Sequence, residues 1–135
     1  MNHQIIMADD DSDDWYLVED ALKRLGARDI IGFVSNGEEL LEILELYYKE
    51  DRVPSAIVLD LNMPRMNGVE TLTELKKDQR FLHIPVIIYT TSVDASEREE
   101  CMALGAADYL IKRGSLQENI KIAETFLSYA NKAGH

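Results

Sequence analysis

Five short apolar runs recur along the chain, at residues 5–8, 30–34, 56–59, 86–89 and 109–111. Each has strand length, is mostly β-branched or aliphatic, and does not alternate cleanly with polar residues. Strands read this way when both faces of a parallel sheet are covered. Between the runs lie segments with helical periodicity. Val18, Ala21, Leu22 and Leu25 form one apolar stripe, Leu40, Ile43, Leu44 and Tyr47 a second, and Leu116, Ile120, Ala123 and Leu127 a third. Two further helices, near 68–78 and 95–104, are weakly periodic and are located by their caps. Asn67 precedes Glu70 by three residues and Asp94 precedes Glu97, as Asn36 precedes Glu39 and Ser115 precedes Glu118. In each pair the first side chain can accept a free first-turn amide while the acid reaches back to the cap's own N–H. Gly26 and Gly105 fit helix C-terminal positions, and the last helix is expected to run to about residue 131. A strand–helix unit repeated five times implies parallel strands, right-handed crossovers and helices on both faces: an α/β, three-layer, doubly wound five-stranded sheet. The expectation is one domain over residues 1–135, with no output domain.

Charge narrows the partners. The net charge of −11 repels phosphate backbones and anionic lipid surfaces, so neither nucleic acid nor a membrane is expected as a partner. A single cysteine, Cys101, excludes an internal disulfide and a cysteine-rich zinc site and is read as a packed thiol. His3, His83 and His135 have no ligand spacing and are read as structural or exposed. The start lacks a basic region and its apolar run is short for a signal peptide. No segment is long enough to span a bilayer, and a cytoplasmic location is expected.

The residues that end the apolar runs are unusual. The first ends in Asp9 and Asp10, the third in Asp60, the fourth in Thr90 and the fifth in Lys112. In an open α/β sheet, ligands bind beyond the carboxyl ends of the strands, so these residues are expected to share one crevice. Two carboxylates 4 Å apart repel by about 4 kcal/mol at an effective dielectric of roughly 20. Such a cluster calls for a cation, a raised pKa, or both. An all-oxygen donor set favours Mg²⁺, Mn²⁺ or Ca²⁺. The run from Asp9 to Asp14 lacks the central Gly and terminal Glu of an EF-hand loop, and Mg²⁺ suits it better because it keeps waters for a phosphate. Asp11, Asp13 and Asp14 are assigned to the helix dipole at the start of the first helix. A carboxylate nucleophile, a metal, a lysine and a hydroxyl together make a phosphoryl-transfer set.

These residues resemble the response-regulator receiver family over nearly the whole chain, from Ile5 to about Tyr129. Asp9-Asp10 looks like the family's metal-binding pair, and Asp60-Leu61-Asn62-Met63-Pro64 followed by Gly68 looks like the phosphoacceptor loop. Thr90 resembles the switch hydroxyl, Lys112 the strand-five lysine and Tyr109 the switch aromatic. The resemblance implies the flavodoxin-like strand order 2-1-3-4-5. It implies phosphorylation of Asp60 by a sensor histidine kinase or phosphotransfer protein. It further implies Mg²⁺ (or Mn²⁺) on Asp10, Asp60 and the Asn62 backbone carbonyl, with Asp9 helping through water. Lys112 would pair with phosphoryl oxygens, Thr90 would move to them, and Tyr109 would turn inward. The face made by the fourth helix, fifth strand and fifth helix would then change its preference for a downstream protein, and the chain would work as a switch rather than an enzyme, as monomer or homodimer. The runs 10–14 and 84–92 also look like small receivers associated with phytochrome-type kinases.

Two positions depart from the family pattern. Arg113 stands where a proline usually follows the lysine, which leaves the preceding bond free to be trans, weakens the expected approach of Lys112 and offers a second cation nearby. Thr91 stands where a smaller side chain is usual, and is expected to slow loss of the phosphoryl group. Three rival functions fit the residues less well. A haloacid-dehalogenase-type phosphatase needs an acid two residues after its nucleophile, where this chain has Asn62, and its nucleophile normally ends the first strand. A receiver-like module that is never phosphorylated predicts an Asp60→Asn chain with unaltered partner binding. A flavin-binding flavodoxin-like protein needs a hydroxyl- and glycine-rich first loop, where this chain has Asp9 to Asp14.

Overall fold

The computed structural model describes residues 3–133; Met1, Asn2, Gly134 and His135 lie outside them. The elements alternate as β1 (Ile5–Ala8), α1 (Ser12–Arg24), β2 (Ile31–Val34), α2 (Gly37–Lys49), β3 (Ala56–Leu59), α3 (Gly68–Lys77), β4 (Val86–Thr90), α4 (Ala95–Ala103), β5 (Asp108–Ile111) and α5 (Leu116–Ala133). All pairings are parallel, in the order β2-β1-β3-β4-β5. The expected flavodoxin-like architecture and strand order are both present.

Each central strand supplies two cores, because successive side chains point to opposite faces. Ile6, Ala8, Ile57, Leu59 and Ile88 pack against Leu40, Leu44, Leu72 and Cys101. Ile5, Met7, Ala56, Val58 and Ile87 pack on the other side against Val18, Leu22, Ala123 and Phe126. This two-sided burial is why the runs carry no polar alternation. Cys101 is fully buried, as expected of a packed thiol, and burial raises its pKa. The third stripe is rotated from its expected line. Leu116 is exposed, and the buried line of α5 is Asn119, Ala123, Phe126 and Ala130. The small residues of that line lie where α5 packs closely on the sheet and α1.

All four cap residues accept the expected kind of bond, but only one capping box closes. Asn67 accepts from the Glu70 N–H at 2.9 Å, and Glu70 accepts from the Asn67 N–H at 3.0 Å. At α2, Glu39 instead reaches the N–H of Ser35. At α4, Asp94 caps Ser96 and Glu97 turns to the Ser92 hydroxyl. Gly26 and Gly105 follow helix ends with φ of 80° and 107°, where a side chain would be strained.

Register puts the polar strand ends on one rim. Ala8 pairs with Leu59 and Leu59 with Ile88. The Asp60 N–H then donates to the Ala8 carbonyl at 3.0 Å, and the Lys112 N–H to the Thr90 carbonyl at 2.7 Å. Gly68 brings α3 tightly beneath this rim: a Cβ there would run into the Asp60 carbonyl and come within 2.8 Å of the Leu61 Cα.

Candidate functional site

The crevice at the carboxyl end of β1 and β3 holds Asp9, Asp10 and Asp60, each offering one oxygen within 4.8 Å of the others. Asp9 is fully buried, Asp60 is 8 % exposed and Asp10 faces solvent. Asp9 Oδ1 accepts from the Asp11 N–H at 2.9 Å. Asp60 Oδ1 receives only a long contact from the Asn62 N–H, at 3.4 Å. Burial pushes the Asp9 carboxyl up to about 6, against the pull of its hydrogen bonds from Lys112 and Asp11.

Lys112 reaches into this cluster. Its Nζ lies 2.6 Å from Asp9 Oδ2, 2.7 Å from Asp14 Oδ2 and 3.3 Å from Asp60 Oδ2, with the side chain 9 % exposed. It also stands 5.5 Å from the centre of the Tyr89 ring. Burial alone would lower the ammonium pKa, but hydrogen bonds to Asp14 and Asp9, together with the charges of Asp60 and Asp9, hold it above its ordinary value. There is no cis peptide bond among the described residues, so Lys112 gains the crevice through a trans bond to Arg113. Arg113 is not a second cation there. It lines a groove with Val93, Asp94, Arg98, Tyr109 and Ile111 on the α4–β5 side.

Thr90 is fully buried at the end of β4, and its Oγ1 lies 3.4 Å from the Ser92 N–H. Tyr109 is 7 % exposed, and its hydroxyl donates to the Ser92 carbonyl at 3.1 Å. The ring is thus packed inward against the β4–α4 loop. Thr91 is exposed. The loop after Asp60 passes through Arg65 in the left-handed region, with φ of 65°.

Asp14 lies in the acidic first turn of α1, as its assignment to the helix dipole expects, and its carboxylate has a further role as one of the two closest partners of Lys112. Of the other two acids, Asp11 caps α1 through the Asp13 N–H, and Asp13 is exposed in the first turn. Trp15, which no sequence motif marks, also borders the site. Its indole N–H donates to the Asp9 carbonyl at 2.7 Å, and its ring stacks on Phe33 at 5.3 Å. The available signal was α1 starting directly after the acidic pair, which puts first-turn side chains on the crevice rim.

An all-oxygen set with one exposed carboxylate suits a hard divalent cation. Among the described residues, no helix is long and apolar enough to cross a membrane.

Comparison with known proteins gives a consistent picture. The family model described as "Response regulator receiver domain" matches residues 5–124. The chain is 29 % identical over 126 residues to the probable methanogenesis regulatory protein FilR2 of Methanothrix harundinacea, covering 93 % of this chain and 81 % of that protein. It spans only 13 % and 47 % of two other curated relatives, which are longer proteins. Among solved structures, the phosphorylated cyanobacterial phytochrome response regulator RcpA superposes with a TM-score of 0.83 at 26 % identity, over 96 % of this chain and 95 % of that one. The Mn²⁺-bound form of response regulator Rcp1 gives 0.78 at 28 % identity, over 92 % and 91 %.

Proposed function

Because the chain belongs to the response regulator receiver domain family, whose members act in phosphorelay signal transduction, we propose that Asp60 is its phosphoacceptor. The observation that carries this reading is the convergence of Asp9, Asp60 and Lys112, from three different strand ends, within hydrogen-bonding reach of one ammonium.

In the proposed reaction, an Asp60 carboxylate oxygen attacks the phosphorus of a phosphohistidine on a sensor kinase or phosphotransfer protein. The new O–P bond forms as the N–P bond breaks, and the electron pair leaves on the imidazole nitrogen. Asp10, Asp60 and the Asn62 carbonyl would hold Mg²⁺, with Asp9 assisting through water. When bound, the cation neutralises charge on the transferred oxygens. Lys112 supplies an N–H to the same oxygens, and Thr90 turns its hydroxyl toward them. The inward Tyr109, bonded to the Ser92 carbonyl, is the rotamer that phosphorylation would favour. The face of α4, β5 and α5 would carry the signal to a downstream protein in the cytoplasm, and the chain would act as a switch, with chemistry limited to its own phosphorylation and dephosphorylation.

Incubation with Mg²⁺ and acetyl phosphate, read by intact mass, tests the assignment. Wild type is expected to gain one phosphoryl group and Asp60→Asn none. A gain in both would move the acceptor elsewhere.

A further inference from the structure

An ammonium has three N–H donors, and in Lys112 the two shortest bonds go to Asp9 and Asp14, not to the proposed acceptor. Asp60 receives the remaining, long contact at 3.3 Å. Asp9 is fully buried and has no other cation within reach among the described residues. Asp14 differs: it sits on the first turn of α1, its side chain is 22 % exposed, and water can solvate it without Lys112. Its hold on the lysine is therefore dispensable for burial, yet it takes one of the donors that an incoming phosphoryl group needs.

We propose that Asp14 is a positioning residue that brakes phosphorylation, by anchoring the Lys112 ammonium on the α1 side of the crevice and away from Asp60. The inference rests on the Asp60 reading above. While Asp14 is charged, the ammonium meets Asp60 only through its longest bond. When the Asp14 charge is removed, two N–H groups face Asp60 and the phosphoryl oxygens that arrive there. Charge-assisted bonds to an anion are the strong ones, so the freed donor favours the transferred group.

Asp13 supplies the control. It is the neighbouring residue, carries the same charge, and is exposed with no contact to Lys112 among the described residues. A general charge effect acts through either residue and is screened by salt, whereas a direct hold on the ammonium belongs to Asp14 alone and persists in salt.

The test is the initial rate of phosphorylation of the full chain by acetyl phosphate with Mg²⁺, followed by intact mass at low and high salt. Asp14→Asn is expected to react roughly twofold to fivefold faster than wild type, the size expected when one partly exposed charge partner is withdrawn. That gain should survive high salt, and Asp13→Asn should match wild type. A rate for Asp14→Asn at or below wild type, an equal gain in Asp13→Asn, or a gain abolished by salt overturns the proposal. A wild-type chain that takes up no phosphoryl group would instead overturn the Asp60 reading.

Discussion

Replacing Lys112 with methionine isolates what the ammonium does for the fold. Methionine keeps an unbranched apolar stem of similar length and removes the charge that stands over the Tyr89 ring. Asp9 and Asp60, both almost wholly buried, then lose their cation. Removing one partner of a buried ion pair costs about 3–5 kcal/mol. The Coulomb energy of such a contact, about 4 kcal/mol near 4 Å at an effective dielectric of roughly 20, agrees in size. Protonation of Asp9 provides a way out: its carboxyl already stands near 6, and loss of Lys112 raises it further. The cost should therefore be largest in mildly alkaline solution and shrink as acid neutralises Asp9. Urea unfolding followed by circular dichroism, in chelator, gives the difference directly. Near pH 8 the expected loss is about 3–4 kcal/mol, and near pH 5 less than half of that. A loss below about 1 kcal/mol near pH 8, the worth of a surface pair, or a loss independent of pH, would refute the reasoning.

Other expectations follow from the same geometry. The folded pKa of Asp9 is raised, so the folded chain keeps a proton that the unfolded chain releases. Its contribution to stability declines as pH climbs from about 4 through 6, by up to roughly 3 kcal/mol. Asp9→Asn should remove that decline from the stability–pH curve, and an unchanged curve would show that Asp9 does not titrate there. Adding Mg²⁺ to wild type near pH 7 should raise the urea midpoint in proportion to occupancy, whereas Asp10→Asn should blunt the rise. Gly68→Ala forces a Cβ against backbone, with no flexible side chain to yield, and should cost about 2–3 kcal/mol; a thermal midpoint equal to wild type would contradict it. Asn67→Ala opens the one closed capping box and should cost about 1 kcal/mol, measured by the same melts.

Most of the fold was legible because its signals are local. Strand runs such as 56–59 are apolar throughout, and Asn67 with Glu70 marks a helix start within four residues. Legibility fails where direction depends on packing. Glu39 and Glu97 carry the right spacing for a capping box, but nearby donors on Ser35 and Ser92 win their carboxylates. Of the expected α5 stripe, Ala123 is buried and Leu127 packs at the core's edge, but Leu116 is exposed, and the close fit of α5 adds Phe126 and Ala130 to the buried line. The same limit applies to the site. Asp9, Asp60, Thr90 and Lys112 end strands, so register alone brings them together. Asp14 lies on a helix, and whether it faces Lys112 depends on the angle at which α1 crosses the sheet. No pattern within the first helix encodes that angle.

Trp15 is the chain's single tryptophan, and its indole is tied to the backbone of the innermost acid of the crevice. A cation arriving beside that acid, or a phosphoryl group beyond it, changes the electric field across the one dominant fluorophore. The protein therefore carries an intrinsic optical reporter, and its activation can be timed in a stopped-flow cell without a label.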